Sequence, residues 1–180
     1  MKKSTVYVML IIIISIFLGF VSFDYCFIRV NVKIDNISFV SPYLYGNSLE
    51  RFDIQPQYKD ASIKAVCISA TFNNQSFIKK YHNVEFAFVD TNNTYPVICN
   101  KFDMGGENGI KYLNAKSKRT QNGICVLVDG SLSDEQIFEL LSKKKIIAKG
   151  FFSKHYKNIS KPIYLKKSTN YWKAKPWHKY

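Results

Sequence analysis

Residues 6–23 read VYVMLIIIISIFLGFVSF, and shortly after them residues 28–35 read IRVNVKID. The change of period between these two stretches decides the fold. The first holds 18 residues without a charge, follows Lys2 and Lys3, and is closed by Asp24. At helical rise it is roughly 27 Å long, close to the hydrocarbon thickness of a bilayer. In lipid every backbone amide has to bond within its own segment, so the stretch is predicted to be a transmembrane helix. In the second stretch Ile28, Val30, Val32 and Ile34 alternate with Arg29, Asn31, Lys33 and Asp35, the period of a half-buried strand. A helix of spanning length therefore gives way almost at once to sheet.

A cleaved secretory signal is the rival reading of residues 6–23. Such a signal has an apolar core of about 7–15 residues and small residues at its cleavage site. Here the run is longer, and Phe20, Phe23 and Tyr25 stand where small residues belong. Nor does Asp24-Tyr25-Cys26 form a lipoprotein cleavage box. The expected organisation is a cytoplasmic segment at 1–5, an uncleaved signal-anchor at 6–23, an extracytoplasmic β-rich domain at 27–167 and a basic tail at 168–180. Lys2 and Lys3 favour a cytoplasmic N-terminus, while Arg29 and Lys33 pull weakly the other way. In a prokaryote this is a single-pass protein of the inner membrane with its domain in the periplasm. Tyr25 and Phe27 fall at headgroup depth, where aromatic rings are favoured.

Charge is unevenly placed. The chain carries a net charge of +13, yet Lys143–Tyr180 holds 12 lysines and no acidic residue. The part before it, with 14 basic against 13 acidic residues, is close to neutral. Of the four cysteines, Cys26 lies at the membrane boundary. No pair has CxxC spacing, so neither a redox dithiol nor a zinc ribbon is supported. One disulfide among Cys67, Cys99 and Cys125 is expected in an oxidising compartment, with three pairings open. The alternative for all three is burial as small apolar side chains.

Further strands are expected at Ile63–Phe72, Val84–Phe88, Tyr95–Cys99, Ile110–Leu113, Gly123–Asp129 and Ile146–Phe152, with a last one at Pro162–Leu165. Thr91–Thr94 (TNNT) should join the second and third as a hairpin. Residues 37–58, with Pro42, Gly46 and Pro56 among aromatics, read as loop holding at most one short strand. A short helix is predicted at about 133–144, opened by the capping box Ser133…Gln136, with Asp134 and Glu135 at its positive end. Ile137, Leu140 and Leu141 supply its buried stripe. The predicted fold class is mainly β, a transmembrane helix followed by one antiparallel, sandwich-like domain.

Motifs for catalysis are missing. There is no GxSxG, no HExxH and no glycine loop ending in Gly-Lys-Ser/Thr. The loop Asp103–Gly109 (DMGGENG) lacks the lysine and following helix of a phosphate cradle and reads as a turn. Asp103 and Glu107 within it, with one of His82, His155 or His178, mark where a hydrolase site could assemble. Solvated loop charges explain them as well. No catalytic residue, metal or cofactor is expected. The matches Asn36-Ile-Ser38, Asn74-Gln-Ser76, Asn92-Asn-Thr94 and Asn158-Ile-Ser160 to the glycosylation pattern matter only in a eukaryotic source.

The binding candidate is the tail. Lys166, Lys167, Lys173, Lys175 and Lys179 interleave with Tyr171, Trp172 and Trp177. That mixture suits a membrane surface, an acidic protein or anionic envelope component, or single-stranded nucleic acid. Export argues against nucleic acid. A solvated terminus that makes no contact is the plain alternative. The expected function is a membrane-anchored binding or accessory protein in secretion, exclusion or immunity at the envelope. An enzyme and a purely structural anchor are the alternatives.

Overall fold

In a computed structural model, residues 3–40, 62–89, 95–102 and 109–167 are described. Helix α1 (Lys3–Cys26) overruns the apolar stretch by about a turn at its C-terminal end, carrying Asp24 and Cys26 within it. It is long and apolar enough to cross a membrane, and none of its apolar window is buried by the rest of the chain. Beyond α1 the chain is mainly β: β1 (Val30–Val40), β2 (Ile63–Asn74), β3 (Tyr81–Phe88), β4 (Val97–Phe102), β5 (Ile110–Leu113), β6 (Lys118–Asp129), helix α2 (Asp134–Ser142), β7 (Ile146–Phe152) and β8 (His155–Asn158).

These strands form two antiparallel sheets, ordered β1-β2-β6-β4 and β5-β3-β7-β8. Their buried residues make one core. Ile37, Ile68 and Val126 of the first sheet cluster with Val84, Leu113 and Ile146 of the second, and α2 adds Ile137 and Leu141. From β2 to β7 each connection passes to the other sheet. The hairpin expected between Val84–Phe88 and Tyr95–Cys99 is therefore not formed: β3 pairs with β5 and β7, whereas β4 pairs with β6. Adjacent strand signals do not say which sheet each strand joins. Among the described residues only β7 and β8 make a tight hairpin, and β8 lies in a stretch without a strand signal. The expected strand at Pro162–Leu165 is reduced to a single bridge, Ile163 with Ile146.

β1 also runs beyond the alternation that announces it. Between Ile34 and Asn36 its register with β2 slips by one residue. The slip moves the inward parity from even to odd positions, so Ile37 and Phe39, 0% and 2% exposed, follow Val30 and Ile34 into the core. The extra residue, Asp35, accepts a 2.5 Å hydrogen bond from Thr71 on β2. A period-two reading loses the strand at that point. Gly109, the last residue of the DMGGENG loop, has a φ of 119°. A Cβ there would stand 2.6 Å from the Val84 carbonyl oxygen, so glycine allows β5 to approach β3.

The two sheet ends are distinct. β2 ends at Asn74, next to the loop residues Ser76–Ile78 that bond Asp24 of α1, and its other end, Ile63, lies about 36 Å away along the strand. At that far end Gly130 donates to the Ser62 carbonyl at 2.8 Å and Lys64 reaches into the start of α2. β7 has the same orientation: Phe152 meets Tyr25 of α1, and Ile146 lies about 20 Å farther on. Ile163 exchanges two 2.8 Å backbone bonds with Ile146, while Ser160, three residues earlier, bridges Val30 at the start of β1.

Candidate functional site at the helix–sheet junction

Asp24 is the first charge after the apolar run and is 1% exposed. Burying a carboxylate is costly unless its oxygens are hydrogen-bonded. One oxygen, Oδ2, accepts from the Ser76 hydroxyl at 2.5 Å and from the backbone amides of Phe77 at 3.2 Å and Ile78 at 3.3 Å. The other faces Arg29 Nε at 3.9 Å, an ion pair too long for a hydrogen bond. The loop between β2 and β3 thus cradles the end of α1.

Asn74 holds that cradle in shape. Its side-chain amide donates to the carbonyls of Lys79 at 2.8 Å and Asn114 at 2.9 Å, and its oxygen accepts the Ser76 amide at 3.1 Å. Ser76 Oγ in turn accepts the Lys79 amide at 2.8 Å. Backbone bonds from Gln75 to Arg29 (2.9 Å) and from Lys116 to Ser76 (3.0 Å) tie the loop to the residue before β1 and to the β5–β6 turn. Asn74 and Ser76 are both 0% exposed. Asn74 therefore spends its side chain on the fold and is closed to glycosylation.

Lys79, 2% exposed, donates to the Phe27 carbonyl at 2.9 Å. Burial, aided by nearby Lys157, holds its pKa below the usual lysine value against the opposing pull of Asp24. The Tyr81 hydroxyl is pushed up to about 12 by burial and by the Asp24 charge. Rings surround these groups. Phe20 packs edge-on against Phe77 at 4.8 Å, and Tyr25 against Phe152 at 5.4 Å. Cations stand over the rings: Lys116 Nζ is 3.3 Å from the Phe77 centroid, and the Arg29 guanidinium carbon lies 5.4 Å from that of Phe23. Chemically this is a rigid coupling. Helix and sheets share hydrogen bonds to a buried charge, each worth about 1.5–3 kcal/mol.

The residues singled out from sequence lie elsewhere. Lys166 and Lys167 are exposed. Tyr171, Trp172, Lys173, Lys175, Trp177 and Lys179 lie outside the described residues, as do Asp103, Glu107 and His178. His82 is half-buried with its ring 5.1 Å from Tyr112, and His155 is exposed on β8, so the two are not brought to one site. An open depression of about 430 Å³ beside Gly109 is lined by Lys111, Tyr112, Arg119 and Thr120. Among the described residues no three His, Cys, Asp or Glu side chains gather as a metal site. Cys67 is disulfide-bonded, while Cys26 and Cys99 are thiols. The residue facing Cys67 across the β2–β6 ladder is Cys125.

Sequence reading missed Asn74, Ser76 and Lys79. Their one visible signal is a polar cluster closing an apolar strand, which turn chemistry explains equally well. Comparison with protein-family models, with curated proteins and with solved structures finds no match to this chain.

Proposed function

We propose that this chain is a single-pass membrane protein whose β-rich body, its two sheets packed as a sandwich, stands at a fixed angle on the extracytoplasmic face and acts by binding. The observation that carries the reading is the grip on Asp24. A passive tether needs no such grip, whereas three donors and a buried lysine converge where α1 ends. The same grip favours an uncleaved anchor, because Phe20, inside the apolar run, is packed on Phe77 of the body. Its role is that of an accessory or inhibitory partner in an envelope process such as secretion, exclusion or immunity. The contact is made by the tail from Lys166 onward, through Trp172, Lys173, Lys175 and Trp177, to an acidic protein or anionic envelope component.

The test is deletion of residues 168–180 from the full chain. The shortened protein should stay in the membrane fraction and fold normally while losing its crosslinked partner in native membranes. Capture of the same partner at undiminished yield would sink the role given to the tail. A topology reporter fused after Tyr180 should report an extracytoplasmic C-terminus.

A further inference from the structure

We infer that the β2–β3 loop, residues 75–80, is a second membrane-contacting element that lays Phe77 and Ile78 into the boundary between headgroups and acyl chains beside α1. This rests on the anchoring reading above. The loop inverts the usual partition of side chains. It buries Ser76 and Lys79, 0% and 2% exposed, and presents Phe77 and Ile78, 48% and 47% exposed. Two adjacent large apolar side chains turned outward beside an apolar helix form one continuous greasy surface.

Depth is set by the helix. Phe77 touches Phe20, one turn inside the apolar run from Asp24, so helical rise sets it about 6 Å deeper than the carboxylate. A helix spanning the bilayer carries the Phe77 ring below the headgroups. The cations around it fit the same placement. Lys116 over Phe77, Arg29 over Phe23 and Lys157 over Phe152 at 4.8 Å set cations against the rings of this surface, the pairing of aromatic rings and basic groups that suits a lipid interface. Asp24, the acid within this collar, is held by Ser76 and two amides, which leaves the exposed face cationic. The recognised surface is therefore an anionic phospholipid interface. Two contacts, helix and loop, fix the tilt of the sheets where a single helix would let them turn.

The experiment places a tryptophan at position 78 in the full chain, Ile78→Trp, reconstituted in vesicles with phospholipid brominated just below the headgroup. Wild type, with Trp172 and Trp177, supplies the blank. Tyr95→Trp is the control, because Tyr95 is 51% exposed and adjoins Pro96, whose carbonyl accepts from Asp129 at the far end. The fluorescence added at position 78 should be blue-shifted, lose most of its intensity to brominated lipid and resist aqueous iodide. That added at position 95 should do the reverse. If the two positions respond alike to iodide in vesicles that retain the protein through an alkaline carbonate wash, the loop contact is refuted while anchoring stands. If wild type itself washes off, anchoring falls and the loop contact with it. Phe77→Trp, which keeps a ring against Phe20, gives the same readout should Ile78→Trp fail to fold.

Discussion

Each end of the β-body buries a lysine beside a carboxylate, and the two ends are built on different principles. At the far end Lys64 Nζ meets Asp134 at 3.0 Å and the Leu132 carbonyl at 2.7 Å, where α2 starts. Both side chains keep about 15% exposure, and α2 caps itself through Ser133 and Gln136. At the near end Asp24 and Lys79 are closed off, 1% and 2% exposed, and one Asp24 oxygen gathers three donors from a single loop. The difference teaches where stability is concentrated. A cap that loses a partner falls back on water, whereas a cradle that loses one strands several buried groups.

The comparison breaks or sharpens on four measurements, which start with the largest effect. Asp24→Ala leaves the Ser76 hydroxyl and two amides without their acceptor and should cost about 3–5 kcal/mol in chemical unfolding of the full chain in detergent. Asn74→Ala strands two carbonyls and one amide, and about 2–4 kcal/mol should be lost in the same assay. Ser133→Ala removes only one half of a solvent-exposed capping box, with an expected cost of about 1 kcal/mol. Should Ser133→Ala cost as much as Asp24→Ala, the contrast between the ends is wrong.

The smallest effect is read with pH. Tyr81 and Tyr156 have hydroxyls pushed up from 10 to about 12, the second by burial and by its 3.0 Å bond to Glu85. A folded-state pKa above the unfolded one gives stability that is complete below pH 10 and lost as pH rises from 10 toward 12. Lys79 has the opposite sign. Its folded pKa lies below 10.5, so it costs stability at neutral pH, and the cost fades as pH approaches 10.5. Denaturant midpoints followed from pH 8 to 11.5 should therefore decline above about pH 10. The decline should be shallower in Tyr81→Phe, and an identical slope in that variant would remove the near-end share.

How much of the molecule could be read in advance depends on sequence separation. The capping box of α2 is legible because Ser133 and Gln136 sit three positions apart, and the helix is found at Asp134–Ser142 as the spacing predicts. The apolar helix is legible for the same local reason. The stripe within α2 is less so: Phe138 is buried beside Ile137 and Leu141, whereas Leu140 is only partly covered, because the sheets decide which side of a short helix is hidden. β1 fades from view at Asp35, where a bulge changes the parity that a reader follows. The hairpin expected around Thr91–Thr94 does not form, since the turn signal carries no information about which sheet the next strand enters.

The bare sequence determined the elements that come from neighbours along the chain: a spanning-length helix, its sharp boundary at Asp24, most strands, and the capped α2. Periodicity and end-capping are short-range, so they are written within a few residues. Only the tertiary structure decided which strands share a sheet, that Cys67 faces Cys125, that Ser160 and Ile163 bridge Val30 and Ile146, and that Asp24 is seized by Ser76, Phe77 and Ile78. A buried carboxylate finds its donors wherever folding brings them, and no local pattern names partners fifty residues away.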